Sequence, residues 1–361
     1  MHIKEKYEDF FVEEVLDLQI ESSGGYSYFT LEKRNWTTLK ALDALAHAMN
    51  VTVKRFAVCG QKDRKGITKQ YVSVYGVSEE KIRTVQVKDI HLAFLGYGNK
   101  GLSLGQLRGN RFRITARALD KPLREIQSIP NYFDEQRFGG YRPNMHLIGK
   151  KMLFGEYEEA MKLYLLYPFP GETPDYVAAR RWQETHWGTW DVEKFPRYLY
   201  HERKVLSYLA SHPKDFKGAF QSLPRQLFTL FTQAYQSYLF NESLCCFLKQ
   251  KFKNHWECSY PLGRLIFVDI FQEMDWPIVG YTSHLLGEVK DIFEELMKEE
   301  GIWYETFHSE ISALASEGLT RKAFVKVEQF SLGEFKESVQ EVSFFLPKGA
   351  YATIVMKALE H

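Results

Sequence analysis

The stretch Arg55-Phe56-Ala57-Val58-Cys59-Gly60-Gln61-Lys62-Asp63-Arg64-Lys65-Gly66 passes from an apolar run into a charged loop. Residues 55–59 predict a strand that ends at Gly60, and the β-prone run 70–75 predicts the next strand. A single acid, Asp63, stands in the loop between them. The stretch therefore predicts a sheet in which one loop presents a carboxylate among basic side chains.

Strand-like segments continue on both sides of this loop and are interrupted by single helices. Residues 10–15, 26–32 and 110–116 favour strands, and the apolar spacing after Thr37 and Thr38 predicts a helix capped by one of these two threonines. This order of elements is typical of an α+β fold with a mixed or antiparallel sheet, more than of a doubly wound one.

The pattern changes after Gly149. Apolar residues at helical spacing predict helices over 157–165, 201–211 and 225–251. The acidic segment 288–300 predicts a further helix whose charges form a solvated face. Helices and short strands together predict an α/β domain in the middle of the chain.

Strand-like runs return at the carboxyl end, over 342–347 and 351–356. A helical middle between two β-rich ends indicates an insertion within one domain. We therefore predict a discontinuous domain made of residues 1–149 and 319–361, with an inserted α/β domain over 150–318.

The bulk properties are those of a soluble globular protein. The chain has 361 residues, of which 45% are hydrophobic and 26% charged. That length favours two domains. The sequence contains no apolar run of the roughly 20 residues that a membrane helix needs, and its amino terminus lacks the apolar core of a secretory signal. We expect a cytoplasmic protein with no membrane partner, and a monomer by default.

Charge is unevenly distributed although the net charge is only +1. Residues 54–69 contain six basic side chains and one acid, and residues 96–117 contain five basic side chains and no acid. A polyanion such as a nucleic acid would be drawn to this first half of the chain.

Three segments carry groups that suit chemistry on a nucleic acid. An ionised carboxylate at Asp63 is suited to act as a nucleophile or general base. The aromatic and amide groups of residues 131–139 are suited to stacking on an extruded base and reading its edge. Basic residues alternate with apolar ones around Arg111 and Arg113, on one face of a strand, which suits phosphate contacts. Each segment also has a purely structural interpretation: a salt-bridged turn, a packed aromatic loop and a solvated strand face.

Several motifs in a fixed order, taken together, make the chain recognisable. From the amino to the carboxyl end they are EDFxVxE at 8–14, GxKDrxxxTxQ at 60–70, LxLGxLxGNxF at 102–112, NYFGxQRFG at 131–139, an AYQSxxFN helix at 234–241, and LPxGxxAT at 346–353. In this order they resemble the TruD family of tRNA pseudouridine synthases along the whole chain. The sequence departs from the pattern at Asp134, where the family usually has glycine.

The resemblance implies roles for individual residues. Asp63 matches the catalytic aspartate of the family. Phe10, Asn131 and Tyr351 match positions that contact the target uridine, and Phe133 matches the aromatic residue expected to stack on the flipped base. The implied fold is a pseudouridine synthase catalytic domain with an inserted TRUD domain.

Basic residues complete the expected site. Lys4 matches a basic position near the site and is a candidate partner for Asp63, with Lys62 and Arg64 as competitors. We expect contacts with the RNA backbone from Lys62, Arg64, Arg108, Arg111 and Arg113.

The implied reaction converts a uridine in tRNA, at position 13 of certain tRNAs, to pseudouridine. It leaves the redox state unchanged and consumes no water, so we expect no organic cofactor; the cysteine and histidine spacings predict no metal site either. Two alternatives stay open at this point. A catalytically silent RNA-binding protein of the same fold would not need Asp63, and an N-glycosidase or nucleotide hydrolase would release free uracil.

Overall fold

The computed structural model describes residues 1–360, which form two compact units. Unit 1 contains Met1–Ile129, Asp269–Phe271 and the chain from Val325 onward. Unit 2 contains Pro130–Val268 and Gln272–Phe324. The chain thus changes unit near 129 and 324, whereas the sequence-based boundaries stand at 149 and 318. Those boundaries stay predictions of where an independently folding insertion begins and ends.

Unit 1 is built on one large sheet with three helices. The strands that lie in unit 1 or at its border are β1 (Phe10–Val15), β2 (Tyr26–Arg34), β3 (Phe56–Val58), β4 (Ile67–Tyr75), β5 (Ile90–Gly98), β6 (Gly109–Ala116), β7 (Ser128–Pro130), β12 (Phe324–Lys326), β13 (Glu328–Leu332) and β14 (Gln340–Pro347). Its helices are α1 (Thr38–Met49), α2 (Glu79–Thr84) and α10 (Ala352–Leu359).

The sheet has the order β13-β14-β6-β1-β4-β2-β5, and β3 pairs with β4 beside this path. Strands β1 and β4 are parallel, with Phe11 opposite Ile67, and the neighbouring pairs are antiparallel. The mixed sheet confirms the predicted α+β class. Its parallel pair sets the start of β4, where the Asp63 loop ends, beside the start of β1.

Helix α1 packs on this sheet through its apolar stripe. Thr37 is the N-cap, because its hydroxyl accepts a hydrogen bond from the Lys40 main-chain N–H at 3.3 Å. Buried leucines and alanines of the helix contact the buried side chains Phe29, Leu31 and Val72. The predicted cap and helix are confirmed, and the packing fixes the end of β2 and the start of α1.

Unit 2 is mainly helical. Its helices are α3 (Met145–Leu153), α4 (Tyr157–Leu166), α5 (Pro174–Thr185), α6 (Tyr200–Ser211), α7 (Phe216–Gln221), α8 (Arg225–Lys251) and α9 (Gly287–Glu300). Two antiparallel ladders accompany them, β8 (Trp256–Tyr260) with β9 (Gly263–Phe267), and β10 (Asp275–Ile278) with β11 (Leu319–Lys322). Helices α3 to α8 enclose an apolar core that includes Met161, Leu206 and Phe231.

Two sequence expectations need correction. The run 351–356 was expected to be a strand, but it enters helix α10, because Ile354, Val355 and Met356 are all buried on that helix. The acidic helix 288–300 is more than a solvated face, since α9 buries Ile292, Phe293 and Met297. Within the described residues, no helix has both the length and the apolar character that crossing a membrane requires.

Candidate active site

The Asp63 loop joins β3 to β4 and is held at its start by a chain of polar contacts. The Gln70 side-chain amide donates to the Gly60 carbonyl at 3.1 Å and accepts from the Thr38 hydroxyl at 2.9 Å. The Thr38 hydroxyl in turn accepts from the Lys62 main-chain N–H at 2.9 Å. Thr38 and Gln70 are buried, so water does not compete strongly for these bonds.

Lys62 points away from solvent, into the protein. Its ammonium lies 2.7 Å from Oε1 of Glu14, and the two side chains are 8% and 0% exposed. The other oxygen of Glu14 accepts the Tyr71 main-chain N–H at 2.9 Å. Lys62 was expected to contact the RNA backbone or to pair with Asp63. Its pairing with Glu14 corrects the expected pairing with Asp63, and its contact with the RNA backbone stays a prediction.

Lys4 is the cation that pairs with Asp63. Its ammonium lies 2.8 Å from Oδ2 of Asp63, and the two side chains are 16% and 33% exposed. The same ammonium lies over the Phe10 ring, 3.8 Å from its centroid. The structure thus brings together three residues predicted for the site: Asp63, Lys4 and Phe10.

The segment that carries Lys4 is fastened to the sheet on both sides of that residue. His2 and Arg117 exchange two main-chain hydrogen bonds of 2.9 Å. The Arg117 guanidinium binds both oxygens of the buried Asp9 carboxylate, at 2.7 and 3.0 Å. Hydrogen bonds from Arg117 hold the pKa of Asp9 below its usual value, despite the opposing effect of burial. Lys4 has a backbone φ of 63°, an uncommon value that these anchors on either side help to hold.

The far end of the Asp63 loop is fixed by Arg64 and Gly66. The Arg64 guanidinium donates to the side-chain oxygen of Asn35 at 3.0 Å. Gly66 has a φ of +148°, and a Cβ there would come within 2.6 Å of the Phe10 carbonyl oxygen. Only glycine therefore allows the loop to pass this close to β1.

A buried lysine that sequence analysis did not select also holds the loop. Lys33, in β2, is 1% exposed, and its ammonium donates to the carbonyl oxygens of Trp36 at 2.6 Å and Asp63 at 2.9 Å. Burial lowers the pKa of Lys33 to about 8; the Lys62 charge adds to this effect and the Asp63 charge opposes it.

Asn131 and Phe133 lie in unit 2 and share one partner, Arg321 of β11. The Asn131 side-chain oxygen accepts from the Arg321 guanidinium at 2.6 Å, and its amide nitrogen donates to the Lys322 carbonyl at 2.9 Å. The same guanidinium lies 4.3 Å from the centroid of the Phe133 ring. Arg321 thus joins the set of candidate residues, although no motif pointed to it.

Helix α8 clamps the main chain of the Phe133 loop. The Asn241 side chain accepts from the Phe133 N–H at 2.9 Å and donates to the Phe133 carbonyl at 2.8 Å. Ser237 accepts from the Arg137 guanidinium at 2.9 Å. The AYQSxxFN segment identified in the sequence therefore supports the loop that carries Asn131 and Phe133.

Tyr351 and the three remaining arginines lie in unit 1. Tyr351 is half-buried at the N-cap position of α10. Arg111 and Arg113 are exposed on β6, and the residue between them, Phe112, packs edge-on against Phe10 at 6.2 Å. Because side chains alternate along a strand, both arginines face away from Phe10. Arg108 is exposed as well and lies 3.6 Å from Asp17.

Comparison with known proteins gives concordant matches along the chain. The family model described as tRNA pseudouridine synthase D (TruD) matches residues 1–257 and 272–359. The tRNA pseudouridine synthase D of Aquifex aeolicus is 33% identical over 385 residues, covering 99% of this chain and 98% of that protein.

Two archaeal matches agree. A Methanopyrus kandleri protein described as "Probable tRNA pseudouridine synthase D" is 33% identical over 94% of this chain and 87% of its own length. A crystal structure described as that of the "Putative tRNA pseudouridine synthase D (TruD)" from Methanosarcina mazei superposes with a TM-score of 0.78 at 29% identity, covering 99% of this chain and 93% of that one. The chain belongs to the tRNA pseudouridine synthase D family and is a tRNA-modifying isomerase.

Proposed function

We propose that this enzyme converts uridine 13 of its tRNA substrates to pseudouridine with Asp63 as the catalytic group. The observation that carries the proposal is the Lys4–Asp63 pair of 2.8 Å on a loop fastened at both ends. Asp63 is the carboxylate that its loop presents to a substrate, since the nearby Glu14 is fully buried and bound to Lys62.

The reaction breaks the bond between N1 of uracil and C1′ of the ribose, turns the base, and joins C5 to C1′. The proton on C5 leaves and N1 gains one, so atoms and electrons balance without water or a redox partner. A carboxylate supports this chemistry either by a covalent adduct or by removing a ribose proton. Lys4 orients Asp63 for either route through its charged hydrogen bond.

Base extrusion gives Phe10, Asn131, Phe133 and Tyr351 their proposed roles in contacting the flipped uridine. Phe133 is 5% exposed and its ring lies under the Arg321 guanidinium. A uracil that stacks on this face of Phe133 must therefore take the place of that guanidinium.

We propose that the enzyme acts as a monomer. Light scattering should therefore give a mass near the 42.3 kDa of one chain.

Product analysis tests the reaction and its position. The enzyme is incubated with a tRNA transcript that has uridine at position 13 and with the same transcript carrying cytidine there. We expect one pseudouridine in the first RNA and none in the second. Pseudouridine elsewhere would refute the position, and free uracil would refute the isomerisation.

Replacing Lys4 with Met should lower the single-turnover rate by about 10- to 100-fold, because Asp63 loses the charged hydrogen bond that orients it. We expect tRNA affinity to change by less than about threefold, since the ammonium is largely buried against Asp63 and Phe10. The exposed Lys6→Met variant is the matched control. An unchanged rate in Lys4→Met would show that this pair does not serve catalysis.

A further inference from the structure

Lys33 carries a charge in the interior of unit 1 and binds main-chain carbonyl groups. Its side chain is 1% exposed, and its ammonium donates to Trp36 O at 2.6 Å, Asp63 O at 2.9 Å and, more weakly, Lys62 O at 3.4 Å. Burying a charged group is costly unless its donors are satisfied. An ammonium has three N–H donors, and these three carbonyl groups match that number.

Two of the three carbonyl groups belong to the residues at the centre of the catalytic loop. The third belongs to Trp36, which lies in the chain between β2 and α1. The charge therefore ties the loop backbone at Asp63 to the rigid end of β2. Lys4 contacts the Asp63 carboxylate, whereas Lys33 contacts the Asp63 main-chain carbonyl. Asp63 is therefore held through both its side chain and its main chain.

We infer that Lys33 is a positioning residue that sets the backbone of Asp63 for catalysis; this inference rests on the proposed role of Asp63. The neutral amine has only two N–H donors and cannot satisfy three carbonyl groups. Loss of its proton should therefore loosen the loop. Since burial lowers the pKa of Lys33 to about 8, this loss falls within a range that can be measured. The charges that bear on it are those of Asp63, which favours the ammonium, and Lys62, which opposes it.

The test is the single-turnover rate of pseudouridine formation between pH 6 and pH 10. For the wild type we expect a rate that falls with a midpoint near the pKa of about 8. Lys33→Met should be about 10- to 100-fold slower at pH 7 and should lack this midpoint. Lys69→Met, which removes a half-exposed lysine of β4 paired with Glu13 at 2.9 Å, should keep both the rate and the midpoint.

Two further variants, Lys33→Arg and Asp63→Asn, separate failure of this inference from failure of the proposed function. Lys33→Arg keeps a charge that does not titrate in this range, so its midpoint should disappear even if Lys33→Met fails to fold. A wild-type rate that is constant to pH 10, or a Lys33→Met rate equal to that of the wild type, would overturn the inference alone. Turnover by Asp63→Asn would overturn the proposed function instead.

An independent observation in unit 2 points to a second contact with tRNA. A groove of about 490 Å³ runs along α6. It is lined by Arg197, Tyr200, Arg203, Lys204, Ser207, Tyr208, Ser211, His212 and Ser222. None of these nine residues is acidic. Residues 194–217, which include α6, contain six Lys or Arg side chains and two acids.

The groove combines cationic side chains with an exposed aromatic ring. Tyr200 is 67% exposed, and Lys204 follows it by one helical turn on the same face. Arg203 has a structural role in the lining of the groove, because it donates to the Val192 and Phe195 carbonyls and pairs with Glu193. Another nearby acid, Asp215, accepts from the Tyr208 hydroxyl at 2.6 Å and from a main-chain N–H.

We infer that this groove binds the sugar-phosphate backbone of the tRNA substrate, with Arg197 and Lys204 at phosphates and Tyr200 against a base or ribose. Phosphate contacts by lysine and arginine give affinity that falls with salt, and an exposed tyrosine adds stacking. No sequence motif indicated this surface, because six of its nine residues belong to an ordinary amphipathic helix, α6.

Equilibrium binding of tRNA over a series of salt concentrations tests this second inference. The double variant Arg197→Gln and Lys204→Gln should bind about tenfold more weakly and reduce the slope of log affinity against log salt by about one to two. Lys290→Gln, an exposed lysine of α9 that pairs with Glu294, is the matched control. Affinity and slope equal to those of the control would overturn the inference.

Discussion

Replacing Lys62 with Met should lower the free energy of unfolding by about 3–5 kcal/mol, because the Glu14 carboxylate is left buried without its counter-charge. The pair is 2.7 Å long, and its side chains are 8% and 0% exposed, so water cannot replace the lost ammonium. The Asp63 loop should loosen as well, since Lys62 is one of its anchors. Chemical denaturation followed by circular dichroism measures the loss.

Two variants make this expectation specific. Adding Glu14→Gln to Lys62→Met should recover most of the stability, because the neutral amide can still accept from the Tyr71 N–H. Lys69→Met removes the Lys69–Glu13 pair, which is 37% and 31% exposed, and should cost less than about 1 kcal/mol. Equal losses for Lys62→Met and Lys69→Met would contradict the role given to burial.

Local patterns predicted much of the fold. The spacing of apolar residues predicted helix α8 over 225–251, which are its bounds in the structure. Pro224 marks the start of this helix, because proline is disfavoured in a helix interior. Thr37 and Gly60 likewise mark a helix cap and the end of a strand. These features depend on neighbours in the sequence, so the sequence alone is sufficient to predict them.

Helix α10 shows where local patterns fail. Its β-branched residues Thr353, Ile354 and Val355 favour a strand, and an apolar run this short has no decisive period. In the structure all six of its apolar side chains are placed on buried positions by helical packing, which outweighs their weak intrinsic preference. Only tertiary contacts decide such a segment.

The candidate site depended on contacts between distant parts of the chain. Lys4 and Asp63 are 59 residues apart, and Lys62 and Glu14 are 48 apart. The adjacent Lys62 and Arg64 competed with Lys4 as candidate partners of Asp63, but Lys62 pairs with Glu14 of β1 instead. Lys33 and Arg321 carried no motif, and a buried lysine in an alternating strand gives no signal until its burial is known.

Replacing Asp63 with Asn should abolish pseudouridine formation, with a rate at least about 10⁴-fold below that of the wild type, because an amide is neither a nucleophile nor a base. The side chain keeps its size and can still accept a hydrogen bond from Lys4, so the loop should stay in place. We expect tRNA affinity within about threefold of the wild type. Lys65→Gln, a change of an exposed side chain on the same loop, should retain turnover.

The most direct test compares wild type and Asp63→Asn under single-turnover conditions, with both proteins saturating the same tRNA transcript, and measures pseudouridine at position 13 over time. We expect full conversion by the wild type and no product from the variant, although both bind the RNA. Pseudouridine formed by Asp63→Asn at a rate within about tenfold of the wild type would contradict the assignment of Asp63 as the catalytic group.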